Sequence, residues 1–185
     1  MSNPSNHLPI RMISHVVRGY GRGSKDLGIP TANVNLEKGV LSCSIVDYDT
    51  LPTGIYWGFA RIGESSNNGA EVDSVLGRVH TAAISIGYNP TYNNKEKTVE
   101  PHLIADPKHP KRHASSTGET QFQDFYEKKI VLSIVGYLRP ELPFEGLEKL
   151  VDAIKKDIID STELAKSCPP SIEAEKHWVA DASCL

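Results

Sequence analysis

Residues 130–137 read IVLSIVGY, apolar at nearly every position. A run this short and this rich in Ile and Val is a strand, and a strand without polar alternation is one with little of either face wet. That condition is met when a sheet closes on itself and a helix covers part of its outer side. Four further segments, 12–17, 55–62, 81–88 and 98–105, share the Ile, Val, Thr and aromatic content of strands. No helical pattern separates most of them, so βαβ crossovers are disfavoured and the sheet is expected to be antiparallel. The covering helix is expected over 145–162, where Leu147, Leu150, Val151, Ile154 and Ile158 recur at three and four, with Glu148, Lys149, Asp152, Lys155 and Lys156 opposite. The fold class is therefore all-β dominated: a closed, Greek-key-like antiparallel β-barrel with a C-terminal α-helix packed against it.

The chain has 185 residues, enough for one domain with a real core and short for two. A single domain over 1–185 is expected, with its core at about 11–160 and a C-terminal extension at 161–185. The net charge of -3 gives no argument for global attraction to nucleic acid or acidic lipid, so any phosphate binding is local. Cys43, Cys168 and Cys184 are odd in number and lack metal-ligand spacing. They suit a reducing compartment. The first ten residues have no cationic and apolar leader pattern, and no stretch approaches a membrane span. The expectation is a cytoplasmic protein with neither nucleic acid nor membrane as partner, and a monomer. Segments 64–69 (ESSNNG) and 106–118 (DPKHPKRHASSTG) read as surface insertions, the basic cluster of the second as a solvated loop. SCPP at 167–170 is expected to end the long helix before a shorter, structural one around 172–177.

Residues 19–34, GYGRGSKDLGIPTANV, carry the chemistry. Phosphate binding needs backbone N–H groups that turn inward without Cβ clashes, together with nearby cations. Gly19, Gly21, Gly23 and Gly28 with Arg22 and Lys25 supply both. The spacing matches neither a Walker loop nor a dinucleotide fingerprint, and the glycines equally suit a mobile turn. Pro30 stiffens the backbone at this point, so Thr31 and Asn33, two apart, share one face if the segment is extended. A hydroxyl and an amide suit Mg²⁺ only weakly, so the metal should arrive with a nucleotide whose phosphates complete its shell. The competing reading is a plain turn with both side chains bonded to backbone.

GRGSKDLGIPTAN resembles the signature of riboflavin kinases (flavokinases), and PTGIYWGFA, AISIGYNPTY, VEPHLIAD, DFY and VGYLRPELPF follow in the family's order over residues 16–160. The resemblance implies a small antiparallel barrel with a helix against it. It also implies ATP-dependent phosphorylation of the riboflavin 5′-hydroxyl, giving FMN and ADP. By that resemblance Gly19, Arg22, Gly23 and Lys25 serve ATP, and Thr31 and Asn33 the phosphates and Mg²⁺ or another divalent ion. Glu100 is the implied general base, Leu103 and Tyr126 line the nucleotide side, and Arg139 and Phe144 hold the flavin. The rival readings are an Arg139 paired with Glu141 or Glu145, a Phe144 that is core, and a Glu100 that faces water.

Two departures stand out. Pro101 comes directly after Glu100, which removes a ladder N–H and is expected to end or bulge the strand. Segment 106–121 is longer than the usual family connection. No His-x-x-His nucleotidyltransferase motif accompanies the barrel, so a monofunctional, eukaryotic-type kinase is expected. The alternatives are a non-catalytic flavin- or nucleotide-binding barrel, which needs no base at Glu100, and a single-strand nucleic-acid binder, which needs a basic groove. The terminal SCL departs from a peroxisomal Ser-Lys-Leu at the basic position.

Overall fold

The apolar octet lies at the middle of the sheet. The computed structural model describes residues 8–18, 31–37, 52–63, 76–88, 97–104 and 126–181. The octet falls in β6 (Lys129–Arg139), flanked by β1 (Ile10–Val17) and β3 (Gly54–Ile62). Beyond β3 come β4 (Val79–Tyr88) and β5 (Lys97–Leu103), and beyond β1 comes β2 (Asn33–Val34). Every ladder is antiparallel. β3, β4 and β5 form a meander and β6 returns beside β3, which is Greek-key order. With six strands of alternating direction, the two end strands can also meet antiparallel. Among the described residues they do so where the Ala32 N–H donates to the Pro101 carbonyl at 2.9 Å. The sheet is a nearly closed barrel.

Closure explains why β6 shows no polar alternation. Ile130, Leu132 and Ile134 fill the barrel with Met12, Tyr56, Ile84, Ile86 and Val99, while Val131 and Val135 join Ile13, Trp57 and Phe59 in an outer layer. Two helices cover that layer. α1 (Leu147–Lys166) packs along β4 and β3, and α2 (Pro170–Asp181) lies over β6 and β3. The β3–β6 ladder slips register between Ile55 and Tyr56 and between Trp57 and Gly58. A Cβ at Gly136 would collide with the Trp57 indole, so a bare backbone seats that ring at the irregularity.

Several boundaries differ from the sequence reading. β6 runs through Arg139, which pairs with Ile55 and is strand rather than loop. Leu147 opens α1 and is exposed, whereas Asp157 and Ser161 are the helix's buried residues. The second helix is longer than expected, and the extension from residue 161 begins inside α1. Pro101 neither ends nor bulges β5, because Ile84↔Pro101 is followed by Ala83↔His102 and Ala82↔Leu103 without a shift. In a strand a residue's N and C=O point to the same side. The Pro101 carbonyl faces β2, so the missing N–H is lost from the open side of β5 and not from the β4 ladder. Cys168 is a free thiol, and Cys43 and Cys184 lie outside the described residues. Among the described residues no helix is long and apolar enough to cross a membrane.

A polar clamp docks α2. The Arg11 guanidinium donates twice to the Glu175 carboxylate, at 2.9 Å each, Ser133 Oγ donates to it at 2.8 Å, and Arg11 also lies 4.9 Å from the Trp178 ring centroid. Hydrogen bonding from Arg11, opposed by burial and aided by Ser133, holds the Glu175 carboxyl below its ordinary range. A depressed folded-state pKa gives stability that is present above the unfolded value and lost as pH falls through the folded one. Glu175→Gln is expected to cost roughly 1–2 kcal/mol at pH 7, from weakened charge-assisted bonds. As pH falls from 7 through the ordinary carboxylate range the gap in melting temperature between the two proteins should narrow; a constant gap would show that the carboxylate's charge does not hold α2.

Candidate functional site

The two helices pack over β3, β4 and β6, and the expected polar residues lie on the outer face of β5 and along the seam beside it. On β5, Val99 and Leu103 point inward, so Thr98, Glu100 and His102 point outward. Across the closing seam, Ala32 is in the core, so Thr31 and Asn33 turn outward as well. The Ala32–Pro101 register, extended one residue each way, sets Asn33 across from Glu100 and Thr31 across from His102. The segment is pinned by two bonds, Asn35 N–H to the His15 carbonyl at 2.9 Å and Ser14 Oγ to the Asn35 carbonyl at 2.6 Å. The stiff turn read from the sequence is thus delivered beside the expected base by a two-residue strand.

On its other side Glu100 pairs with Ser85, Ser85 with Ile55, and Ile55 with Arg139. Glu100, Ser85, Ile55 and Arg139 therefore form one row across four strands, and three strand spacings put its ends about 14 Å apart. At the far end Arg139 turns out to α1, where Nε and Nη2 donate to Asp157 at 2.8 and 2.7 Å. Its guanidinium carbon is also 5.6 Å from the Phe144 ring centroid. The partner of Arg139 is thus Asp157, a buried carboxylate, and neither Glu141 nor Glu145.

Burial pushes the Glu100 carboxyl above its usual range, against a hydrogen bond from Thr98 that lowers it. Glu141, two residues past β6, is raised first by desolvation and then by the charge of Glu100, while Arg139 pulls it down. Its carboxylate oxygens occupy the space that a Cβ at Gly87 would need. Gly87 pairs with Thr98, so the Glu141 carboxylate sits one step along the outer face from the Ser85–Glu100 pair.

The other expected residues lie elsewhere. Tyr126 is half exposed beneath the Arg18 guanidinium, 4.9 Å from its ring centroid, where the chain leaves β1 toward the glycine-rich loop. Hydrogen bonds from Glu127 N–H to the Val16 carbonyl and from Val16 N–H to the Lys128 carbonyl fix it there. The Leu103 side chain is packed in the barrel core, 3% exposed and turned away from Glu100. Gly19, Arg22, Gly23 and Lys25 lie outside the described residues. Sequence reasoning did not single out Ser85, Gly87, Thr98 or Asp157 for the site. Asp157 alone left a signal, a carboxylate on the expected apolar face of α1.

A hydroxyl, an amide and a carboxylate with raised proton affinity meet at one seam, with an aromatic–guanidinium pair at the other end of the row. Among the described residues no cluster of three His, Cys, Asp or Glu could hold a metal ion. The protein donors for a cation at the seam are therefore the neutral Thr31 and Asn33, a set that fits a divalent ion carried largely by phosphate oxygens.

The family model described as riboflavin kinase matches residues 6–165. The riboflavin kinase of Aspergillus fumigatus is 32% identical over 205 residues, spanning 96% of this chain and 92% of the fungal protein. That of Homo sapiens is 41% identical over 156 residues, spanning 82% and 78%. The crystal structure of riboflavin kinase from Trypanosoma brucei superposes with a TM-score of 0.56 at 21% identity, over 92% of this chain and 85% of that one. The last is a likeness of fold.

Proposed function

Because the chain belongs to the riboflavin kinase family, we propose that its outer-face row carries out the transfer of the ATP γ-phosphoryl group to the 5′-hydroxyl of riboflavin. The observation that carries the reading is the seam, where a carboxylate of raised proton affinity faces Asn33 from the opposite strand. Glu100 accepts the hydroxyl proton as the 5′-oxygen bonds to the γ-phosphorus. The bond from that phosphorus to the β,γ-bridging oxygen breaks, and ADP leaves. The row gives the acceptor room. With its reacting end at Glu100, the ring system reaches toward Phe144 and Arg139, about 14 Å away by strand count.

Thr31 and Asn33 would hold a Mg²⁺ ion that comes with ATP, and that ion supplies charge neutralisation on the phosphates. Gly19, Arg22, Gly23 and Lys25 cradle the phosphates from the glycine-rich loop, with Tyr126 and the Leu103 stretch on the nucleotide side. Purified protein incubated with riboflavin, ATP and Mg²⁺ should form FMN and ADP in equal amounts, read by chromatography. Absence of FMN with intact riboflavin binding would overturn the assignment of Glu100 and reduce the chain to a binder.

The seam makes a second measurement informative. Thr31→Ala is expected to raise the KM for Mg-ATP by roughly tenfold, the loss of one ligand of a weakly held ion. Riboflavin affinity measured without nucleotide should stay within about twofold, because one neutral hydroxyl contributes little to a neutral ligand. Equal losses in both assays would make Thr31 part of a structural turn.

A further inference from the structure

Glu141 has an unfavourable position for a surface carboxylate. It is exposed as a residue, yet its carboxylate lies against the bare backbone of Gly87 and is partly stripped of water there. It shares the patch with Glu100, whose charge repels it. The one guanidinium near it among the described residues, Arg139, is already committed to Asp157 through two hydrogen bonds. Two carboxylates, Glu100 and Glu141, thus share the patch, while the guanidinium nearest Glu141 is spent on Asp157. Such an arrangement persists when something regularly present at the site donates hydrogen bonds to it.

The donor can be identified by chemistry. A carboxylate is acceptor-only, so its ligand must carry N–H or O–H groups, and the surplus of negative charge disfavours a phosphate. Gly87 lies one paired step from the Ser85–Glu100 row along the strands, a displacement of about two residues or ~7 Å. A side chain of successive hydroxyls that presents its terminal group to Glu100 passes within reach of that step.

We propose that Glu141, seated on Gly87, is a specificity-determining residue that accepts hydrogen bonds from the sugar-alcohol hydroxyls preceding the phosphorylated one. Gly87 belongs to the same device, since any side chain there would occupy the carboxylate's seat. The proposal rests on the reading of the row as the riboflavin site. It accounts for recognition of the polyol chain, while the Phe144–Arg139 end recognises the ring.

The test compares riboflavin with lumiflavin, which has the same ring and a methyl group in place of the polyol chain. Affinities are read from quenching of flavin fluorescence, without nucleotide, so that turnover plays no part. Glu141→Gln is expected to weaken riboflavin binding by roughly 10-fold to 100-fold, the range for hydrogen bonds to a charged acceptor. Lumiflavin binding should stay within about twofold, because the ring contacts are untouched. Gly87→Ala should reproduce the pattern by displacing the carboxylate, with Glu141→Asp falling between wild type and Glu141→Gln. Equal weakening of both ligands, or of neither, would overturn the proposal. Failure of the Glu100 assignment shows differently, as wild-type protein that binds riboflavin and makes no FMN.

Discussion

Glu100→Gln is expected to lower kcat by roughly 10²-fold to 10⁴-fold, the usual contribution of a general base, with riboflavin and ATP binding near intact. Glutamine keeps the shape and a hydrogen-bonding oxygen and loses only the ability to take a proton. The same substitution should stabilise the protein. Burial raises the Glu100 pKa, so between the unfolded and folded values the native state binds more protons than the unfolded state. Stability then falls as pH rises through that window and stays lower above it. A neutral side chain at residue 100 removes this loss, and the variant should melt higher than wild type at pH 7, with the difference vanishing below the ordinary carboxylate range. Activity and stability move in opposite directions, a pattern that a misfolded or merely loosened variant does not produce. Wild-type turnover at saturating substrates, with chemistry shown to limit the rate, would remove Glu100 from the mechanism.

Arg139→Ala is expected to cost roughly 3–5 kcal/mol, the range for breaking a buried ion pair from one side. The Asp157 side chain is 6% exposed and would be left charged against the barrel. At this chain length that corresponds to a fall in melting temperature of roughly 6–20 °C. Riboflavin affinity should drop as well, because the guanidinium also sits beside the Phe144 ring. Arg139→Met combined with Asp157→Leu separates the two roles. Replacing both partners with apolar groups of similar volume should restore most of the stability. Flavin binding should remain weak. Recovery of both together would make Arg139 a structural residue only.

The barrel was legible because burial leaves a mark on composition. IVLSIVGY is apolar on both faces since its inner side chains meet the barrel core and its outer ones meet α2. The apolar stripe of α1 was readable for the same reason at Leu150, Val151, Ile154 and Ile158. It misled at Leu147, which is exposed in the first turn of the helix, and at Asp157, where a carboxylate is buried to meet Arg139. β2 has two residues, too few for any period, although Pro30 marked the segment as extended. Pro101 read as an interruption because a sequence does not say which side of a strand will be left open. Glu100 stood out only through the family pattern, since a lone carboxylate is ordinarily solvated. Glu141 and Gly87 are far apart in the chain, and only the pairing of β3 with both β4 and β6 brings them together. Contacts of that kind depend on register, and no local signal encodes them.

The seam between β2 and β5 carries a further consequence, in dynamics. Among the described residues the hydrogen bond from the Ala32 N–H to the Pro101 carbonyl is the backbone link across it, and Pro101 has no N–H with which to return a second, whereas β3 is joined to β4 and β6 by long ladders. The cylinder is therefore expected to breathe at this line more readily than between β3 and β6. The Ala32 amide should exchange with solvent faster than the interior amides of β3 and β6. Under the proposed assignment, a nucleotide complex held by Thr31 and Asn33 on one lip, with its acceptor held by Glu100 on the other, would act as a stitch across the opening. Loading the site would then be part of closing the wall, and occupancy would be written into the protein's rigidity as well as into its chemistry.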